Sequence, residues 1–166
     1  MRHRPGARFG ALLVSIITLP LLNGCSLGPA RPLRGIDRQL QSLGVHRAPS
    51  LAGRWLALIA DRNGREQVVL IDLQSRLPVP LPGLNRPDAQ PLSVSVAARG
   101  EKLALVRQRE GRTELVLYRR SLGSVMRLPI SPAGVPRQIS LRADGREMAV
   151  EVSRGGRWQL DLIAIP

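Results

Sequence analysis

The sequence predicts an all-β fold in which three antiparallel β-meander blades form a partial, half β-propeller. One segment is repeated three times, and the copies at 53–70, 100–117 and 145–162 align without gaps. The first residues of these copies lie 47 and 45 residues apart, a spacing typical of propeller blades rather than of helical repeats. From Val45 onward the apolar residues recur with a period of two, which indicates strands.

The repeat places the same residue types at the same offsets from its first glycine. Apolar residues occupy offsets 3, 5, 15 and 17, arginine occupies 9 and 12, and glycine occupies 0 and 11. Alanine occupies offset 4, as Ala57, Ala104 and Ala149. Because successive side chains of a strand point to opposite faces, this alanine lies opposite the apolar pair at 3 and 5. The pattern predicts sheets stacked on both faces, with close approach at the alanine and positive φ at the glycines.

The elements follow in order from this alternation. Residues 35–43 carry apolar residues at helical spacing, which predicts one short amphipathic helix. Strands are predicted in blade one (45–90) at 45–50, 56–60, 68–73 and 76–81, and in blade two (91–135) at 92–96, 103–105, 115–117 and 125–130. Blade three (136–166) has predicted strands at 138–141, 148–152 and 159–165. Its fourth strand is supplied by the segment after the lipid anchor, or the edge of the sheet is left open. Pro78 and Pro80 confine the last strand of blade one to an outer edge.

Residues 1–24 predict a lipoprotein signal peptide. Three arginines precede an apolar run at 9–22, which is shorter than the roughly 20 apolar residues of a membrane-spanning helix. The run ends in Leu-Asn-Gly before Cys25, the one cysteine of the chain, and this resembles the lipobox of bacterial lipoproteins. The resemblance implies lipidation at Cys25, a lipidated tether over 25–44 and a periplasm-facing anchor, with Ser26 favouring the outer membrane. The alternative is an ordinary signal peptide with a free cysteine.

The basic composition says little about the partner. The formal net charge is +13 at pH 7, but three of these charges leave with the signal peptide, and almost all the basic residues are arginine. The aromatic residues are few and are not interleaved with the basic ones, as nucleic-acid-binding surfaces require. We therefore expect no nucleic-acid partner.

Motifs for catalysis or for cofactor binding are sparse. Beyond the signal peptide the sequence holds one histidine, His46, and no Gly-x-Ser-x-Gly motif. The residues of a Ser-His-Asp hydrolase are therefore poorly supported by the sequence. The segment Asp61-Arg62-Asn63-Gly64 suits a tight hairpin, and it lacks the further carboxylates of a calcium loop. No phosphate loop, dinucleotide fingerprint or His/Cys cluster occurs. We expect a non-enzymatic protein without a metal or a cofactor.

The repeated Arg-x-Gly-Arg turns form a candidate basic rim. The turns between the second and third strands of successive blades lie at one end of the array, and this arrangement brings together Arg62, Arg65, Arg109, Arg112, Arg154 and Arg157, with Arg107 beside them. Such a rim suits an acidic partner, a lipid phosphate or an anionic glycan, which arginine binds in a bidentate manner. The alternative is a structural role, in which the first arginine of each turn pairs with nearby glutamates or carbonyl groups.

The same turns carry a family resemblance. Arg62-Asn63-Gly64, Arg109-Glu110-Gly111 and Arg154-Gly155-Gly156 each precede an alternating strand, and they resemble the blade repeat of TolB-type β-propellers, as does Ala143-Asp144-Gly145-Arg146. The resemblance covers 45–166. It implies a fold rather than an activity, since propellers carry many functions.

Three blades imply an incomplete ring, because propellers typically need four or more blades and this family closes with about six. We expect a half-ring that is completed by a second copy of the chain or by docking on another envelope protein, with apolar faces exposed at both ends. The expected function is a protein–protein interaction module in the cell envelope. The alternative is an accessory protein that binds an anionic glycan or lipid at the basic rim.

Overall fold

Three antiparallel sheets follow one another along the chain in the computed structural model, which describes residues 34–165. Helix α1 (Arg34–Ser42) precedes them. Blade 1 comprises β1 (His46–Ala52), β2 (Trp55–Asp61), β3 (Glu66–Asp72) and β4 (Leu77–Val79). Blade 2 comprises β5 (Ala89–Val96), β6 (Lys102–Arg109), β7 (Arg112–Arg119) and β8 (Ser124–Leu128). Blade 3 comprises β9 (Val135–Leu141), β10 (Glu147–Arg154) and β11 (Arg157–Ala164). The predicted all-β fold of three meander blades is confirmed.

The three sheets share one pairing register. In each blade the strands pair in sequential order, and the alanine of the repeat lies opposite a serine of the first strand. These pairs are Ser50 with Ala57, Ser95 with Ala104, and Ser140 with Ala149. On its other side the alanine faces the leucine at offset 17, which is Leu70, Leu117 or Leu162. The serine, the alanine and the leucine therefore lie on the same face of each sheet.

Each sheet has a leading face, turned toward the preceding blade, and a trailing face, turned toward the following blade. The core between blades 1 and 2 joins trailing-face residues such as Ala57 and Leu70 to leading-face residues such as Val96. The core between blades 2 and 3 joins Ala104 and Leu117 to the leading face of blade 3 in the same way. Ala57 and Ala104 are fully buried. The close approach predicted at the alanine is confirmed at both interfaces.

The turns explain both glycine positions of the repeat. All six repeat glycines have a positive φ, as the sequence predicts. At Gly100 a second constraint is added, because a Cβ atom would lie 2.4 Å from the indole of Trp55. Trp55 is 5% exposed, and the guanidinium groups of Arg54 and Arg120 lie 4.9 and 4.7 Å from the centroid of its ring. This tight turn of blade 2 therefore packs directly on a side chain of blade 1.

Helix α1 covers part of the leading face of blade 1. Its Leu40, together with Leu43 just beyond it, packs against Leu58, Val69 and other apolar residues of β2 and β3. The expectation of an open apolar face at both ends of the array is thus wrong for β2 and β3, the two middle strands of blade 1. The helix forms because its apolar residues recur at helical spacing and find this apolar sheet face to bury them.

Three sequence predictions lie wholly or partly outside the described residues, namely the signal peptide at 1–24, lipidation at Cys25 and the lipidated tether over 25–44, of which residues 34–44 are described. None of the helices in the described part of the chain is long and apolar enough to span a bilayer.

Candidate functional site

A first-strand serine links blade 1 to blade 2, and another links blade 2 to blade 3. The backbone N–H of Val96 in blade 2 donates to Ser50 Oγ in blade 1, at 3.1 Å. The N–H of Leu141 in blade 3 donates to Ser95 Oγ in blade 2, at 2.9 Å. In both cases the donor is the residue that follows the matching serine of the next blade. Because these groups are screened from water, each bond satisfies a backbone donor that would otherwise be costly to bury.

The trailing face of blade 3 is uncovered by any described element. Leu160 is 67% exposed and Leu162 is 81% exposed. The residues at the same offsets in blades 1 and 2 are at most 3% exposed, namely Val68, Leu70, Leu115 and Leu117. Ser140, the third serine of the series, is exposed as well. Blade 3 therefore presents the surface that its two predecessors bury against a following blade.

A shallow hollow of about 240 Å³ lies on this face. It is lined by Ser140, Arg142, Glu147, Met148, Ala149 and Leu162. The hollow arises because the repeat places alanine between two larger neighbours, so that the small side chain leaves room above the sheet. In blades 1 and 2 the same location is filled by the core clusters that contain Val96 and Leu141.

Charged groups surround the apolar centre of the face. Glu151 takes the position of Ile59 and Val106, and it pairs with Arg137 at 2.8 Å. The guanidinium of Arg137 also lies 4.2 Å from the ring centroid of Trp158, which is 52% exposed. The trailing face of blade 3 thus combines an apolar centre with a charged border, as protein interfaces commonly do.

The six arginines of the predicted rim fall into two groups. Arg109 and Arg154 have partners within the chain. Arg109 forms an ion pair with Asp88 at 2.9 Å, and Arg154 forms an ion pair with Asp161 and donates to the carbonyl of Pro132. The other four are exposed and make no side-chain hydrogen bond or ion pair with described residues; these are Arg62, Arg65, Arg112 and Arg157. The structural alternative therefore fits Arg109 and Arg154, and the exposed group keeps its capacity to bind anions.

Acidic groups interrupt the basic rim between blades 1 and 2. A cleft of about 450 Å³ there is lined by Asp61, Glu66, Asp88 and Glu110 together with Arg65 and Arg109. Hydrogen bonding to Arg86, and then to Arg109, holds the pKa of Asp88 at about 2, below its ordinary value of 3.8. Asp88 stays ionised at any physiological pH and neutralises part of the rim. The sequence did not indicate this, because Asp88 lies in the connection between blades and not in a turn of the repeat.

Arg107 is not part of the rim. Its side chain is buried, and its Nε donates to Glu114 Oε1 at 2.9 Å. The two residues face each other across β6 and β7. Arg127 lies 3.7 Å from the second oxygen of Glu114. A buried ion pair of this kind serves structure, so the placement of Arg107 beside the rim is wrong.

The Arg154–Asp161 pair gives a testable acid dependence. Hydrogen bonding to Arg154 lowers the pKa of Asp161 below its ordinary 3.8. A carboxyl group whose pKa is lower in the folded than in the unfolded state stabilises the fold at pH values above its ordinary pKa. This stability is lost as the pH falls through the pKa of the folded state. Between about pH 5 and pH 2, we expect the urea midpoint of unfolding to fall less steeply in Asp161→Asn than in the unaltered protein. We expect the same of Arg154→Gln. An unchanged pH profile in both variants would show that the pair contributes nothing.

No group of three His, Cys, Asp or Glu side chains among residues 34–165 is placed to hold a metal ion. The ring of His46 is exposed, and its Nδ1 contacts the carbonyl of Gly44 at 3.0 Å. The first strands of the three blades line a cleft of about 600 Å³, whose polar side chains are mainly serines. Several of these serines already accept bonds between blades.

The blade array is similar to two solved β-propellers. TolB from Acinetobacter baumannii matches with a TM-score of 0.56 and 22% identity, over 71% of this chain and 29% of TolB. The β-propeller domain of the Trilobed protease from Pyrococcus furiosus, which has an open velcro topology, matches with a TM-score of 0.53 and 14% identity, over 72% of this chain and 38% of that chain. The predicted resemblance to TolB-type blades is confirmed for the fold. This chain spans less than two fifths of either structure.

No family model matches the sequence, and no curated protein gives a significant match.

Proposed function

We propose that this chain is a non-enzymatic envelope lipoprotein whose partial propeller acts as a protein–protein interaction module. The observation that carries the proposal is the uncovered trailing face of blade 3, where Leu160 and Leu162 are 67% and 81% exposed. Their counterparts in the other blades are buried by a following sheet. An exposed apolar patch with a charged border is a typical docking surface for a protein.

The sequence supports the location of the module in the envelope. The Leu-Asn-Gly-Cys segment that ends at Cys25 suits lipidation after export, and Ser26 favours the outer membrane. A lipid at Cys25 would tether the blades to the membrane through the short segment that precedes α1. The partner is then a protein of the same compartment or a second copy of this chain.

The proposal is tested by crosslinking the lipidated protein in its own envelope and purifying it under denaturing conditions. Leu162→Glu is expected to abolish a specific crosslinked product, because it places a charge at the centre of the apolar face. Leu122→Glu is the matched control, since Leu122 is also 67% exposed but lies in the short 3-10 turn Arg120–Leu122 of blade 2. A product that survives Leu162→Glu would overturn the proposal.

A second candidate function is favoured by the exposed group of rim arginines. Arg65, Arg112 and Arg157 have no side-chain partner among the described residues, and they suit an anionic glycan or lipid phosphate. The two functions differ in their salt dependence. Capture through the apolar face should persist at moderate salt, whereas capture through the rim should weaken steeply with salt and with Arg65→Glu, Arg112→Glu and Arg157→Glu combined.

A further inference from the structure

We propose that the partner of the blade 3 trailing face is a second copy of this chain, which docks with the inner part of its blade 1 leading face. In this contact the side chain of Leu51 from one copy enters the hollow formed by Ser140, Ala149 and Leu162 of the other. The inference rests on the proposed function and names the partner for the same surface.

The chain makes this type of interface twice within itself. Val96 of blade 2 belongs to the buried cluster that holds Ala57 and Leu70 of blade 1. Leu141 of blade 3 belongs to the cluster that holds Ala104 and Leu117 of blade 2. An apolar residue at the end of the first strand thus packs beside the alanine and leucine of the preceding blade.

Both halves of a third interface are present and exposed. On blade 3 the alanine and leucine positions are Ala149 and Leu162, and no described element packs on them. On blade 1 the first-strand position is Leu51, which pairs with Leu56 as Val96 pairs with Leu103. Leu51 is 68% exposed, whereas its counterparts Val96 and Leu141 are 1% and 7% exposed. The two exposed surfaces are therefore complementary halves of one repeated contact.

The hydrogen-bond pattern points to the same pairing. The serine of each blade accepts from the residue that follows the serine of the next blade, as Ser50 does from Val96. The residue that follows Ser50 in blade 1 is Leu51. The backbone N–H of Leu51 in a second copy is thus the matching donor for Ser140 Oγ, which is an exposed acceptor on the trailing face.

Helix α1 limits the contact without blocking it. The helix packs on the middle strands β2 and β3 of blade 1, through Leu40 and the following Leu43. Leu51 lies on β1, the edge strand next to β2, and is exposed. The second copy therefore meets β1, which lines the central cleft together with the first strand of blade 3 and its Ser140. Because the two surfaces differ, the contact is head-to-tail, and it produces a ring if the rotation closes and a filament if it does not.

Cysteine pairing tests the assignment in the full-length lipidated chain. Leu51→Cys and Ser140→Cys are prepared separately, mixed in equal amounts and oxidised. We expect a disulfide-linked dimer in the mixture and neither variant to form one efficiently alone. A dimer from Ser140→Cys alone would show that two trailing faces meet each other, and it would overturn the head-to-tail pairing.

Charge substitution tests the same contact without cysteines. Leu51→Asp and Leu162→Asp are each expected to weaken self-association about tenfold or more in light scattering, while Leu122→Asp leaves it unchanged. Circular dichroism shows whether each variant is folded. A chain that is monomeric at all concentrations overturns the second-copy assignment. If crosslinking in the envelope still depends on Leu162 in that case, the proposed interaction module stands with a different partner.

Discussion

Replacement of Leu117 by alanine is expected to lower the free energy of unfolding by about 3 kcal/mol or more. Leu117 is fully buried in the core between blades 2 and 3, where it packs with Ala104 and Leu141. Truncation removes apolar contact and leaves a cavity between two sheets that cannot easily close on it. Urea denaturation followed by tryptophan fluorescence gives the value, because Trp55 is buried between blades.

Leu162→Ala is the matched control, since Leu162 stands at the same offset in blade 3. It is expected to change the free energy of unfolding by less than about 0.5 kcal/mol when the protein is dilute enough to be monomeric, because this leucine is largely exposed. Equal losses for the two variants would show that the trailing face of blade 3 is covered in the monomer. That result would contradict the docking surface itself.

Replacement of Glu114 by alanine is expected to cost about 3 kcal/mol of folding free energy. The loss arises because Arg107 stays buried with its charge uncompensated, and its Nη1 already lacks a hydrogen-bond partner. Replacing the pair together, with Arg107→Met and Glu114→Leu, is expected to recover most of the loss, since apolar substitutes avoid the desolvation of both charges. Chemical denaturation of the single and double variants measures both effects. A loss below about 1 kcal/mol in Glu114→Ala would mean that water or Arg127 replaces the partner.

The repeat predicted most of the fold because its periodicity encodes the sheet geometry directly. Alanine at offset 4 predicted close sheet packing, and Ala57 and Ala104 lie at the two blade interfaces. The glycines predicted the tight turns, since their φ values are accessible to few other residues. The three strands of blade 3 were equally visible, because three alternating segments occur between 136 and 166.

The candidate site was less accessible because it depends on contacts between distant segments. Ser140 has no unusual neighbours in sequence. Its role as a hydrogen-bond acceptor for another blade can be inferred only because Ser50 and Ser95 accept hydrogen bonds from the next blade. The sequence predicted that Arg107 lies beside the rim arginines. In the structure it pairs with Glu114 on the neighbouring strand, and its side chain is buried. The covering of blade 1 by α1 likewise requires the docking of a helix, which periodicity alone does not specify.

The arrangement of the described blades also implies an uneven distribution of stability along the chain. Each blade contacts only its neighbours, so among the described residues blade 3 is held by one interface and blade 2 by two. Blade 3 has in addition a third strand, β11, with no partner on its outer edge among the described strands. Local opening should therefore begin at β11, while blade 2 stays closed until the molecule unfolds as a whole. If the trailing face of blade 3 binds a partner as proposed, that binding would stabilise β11 and so couple the folding of blade 3 to the interaction.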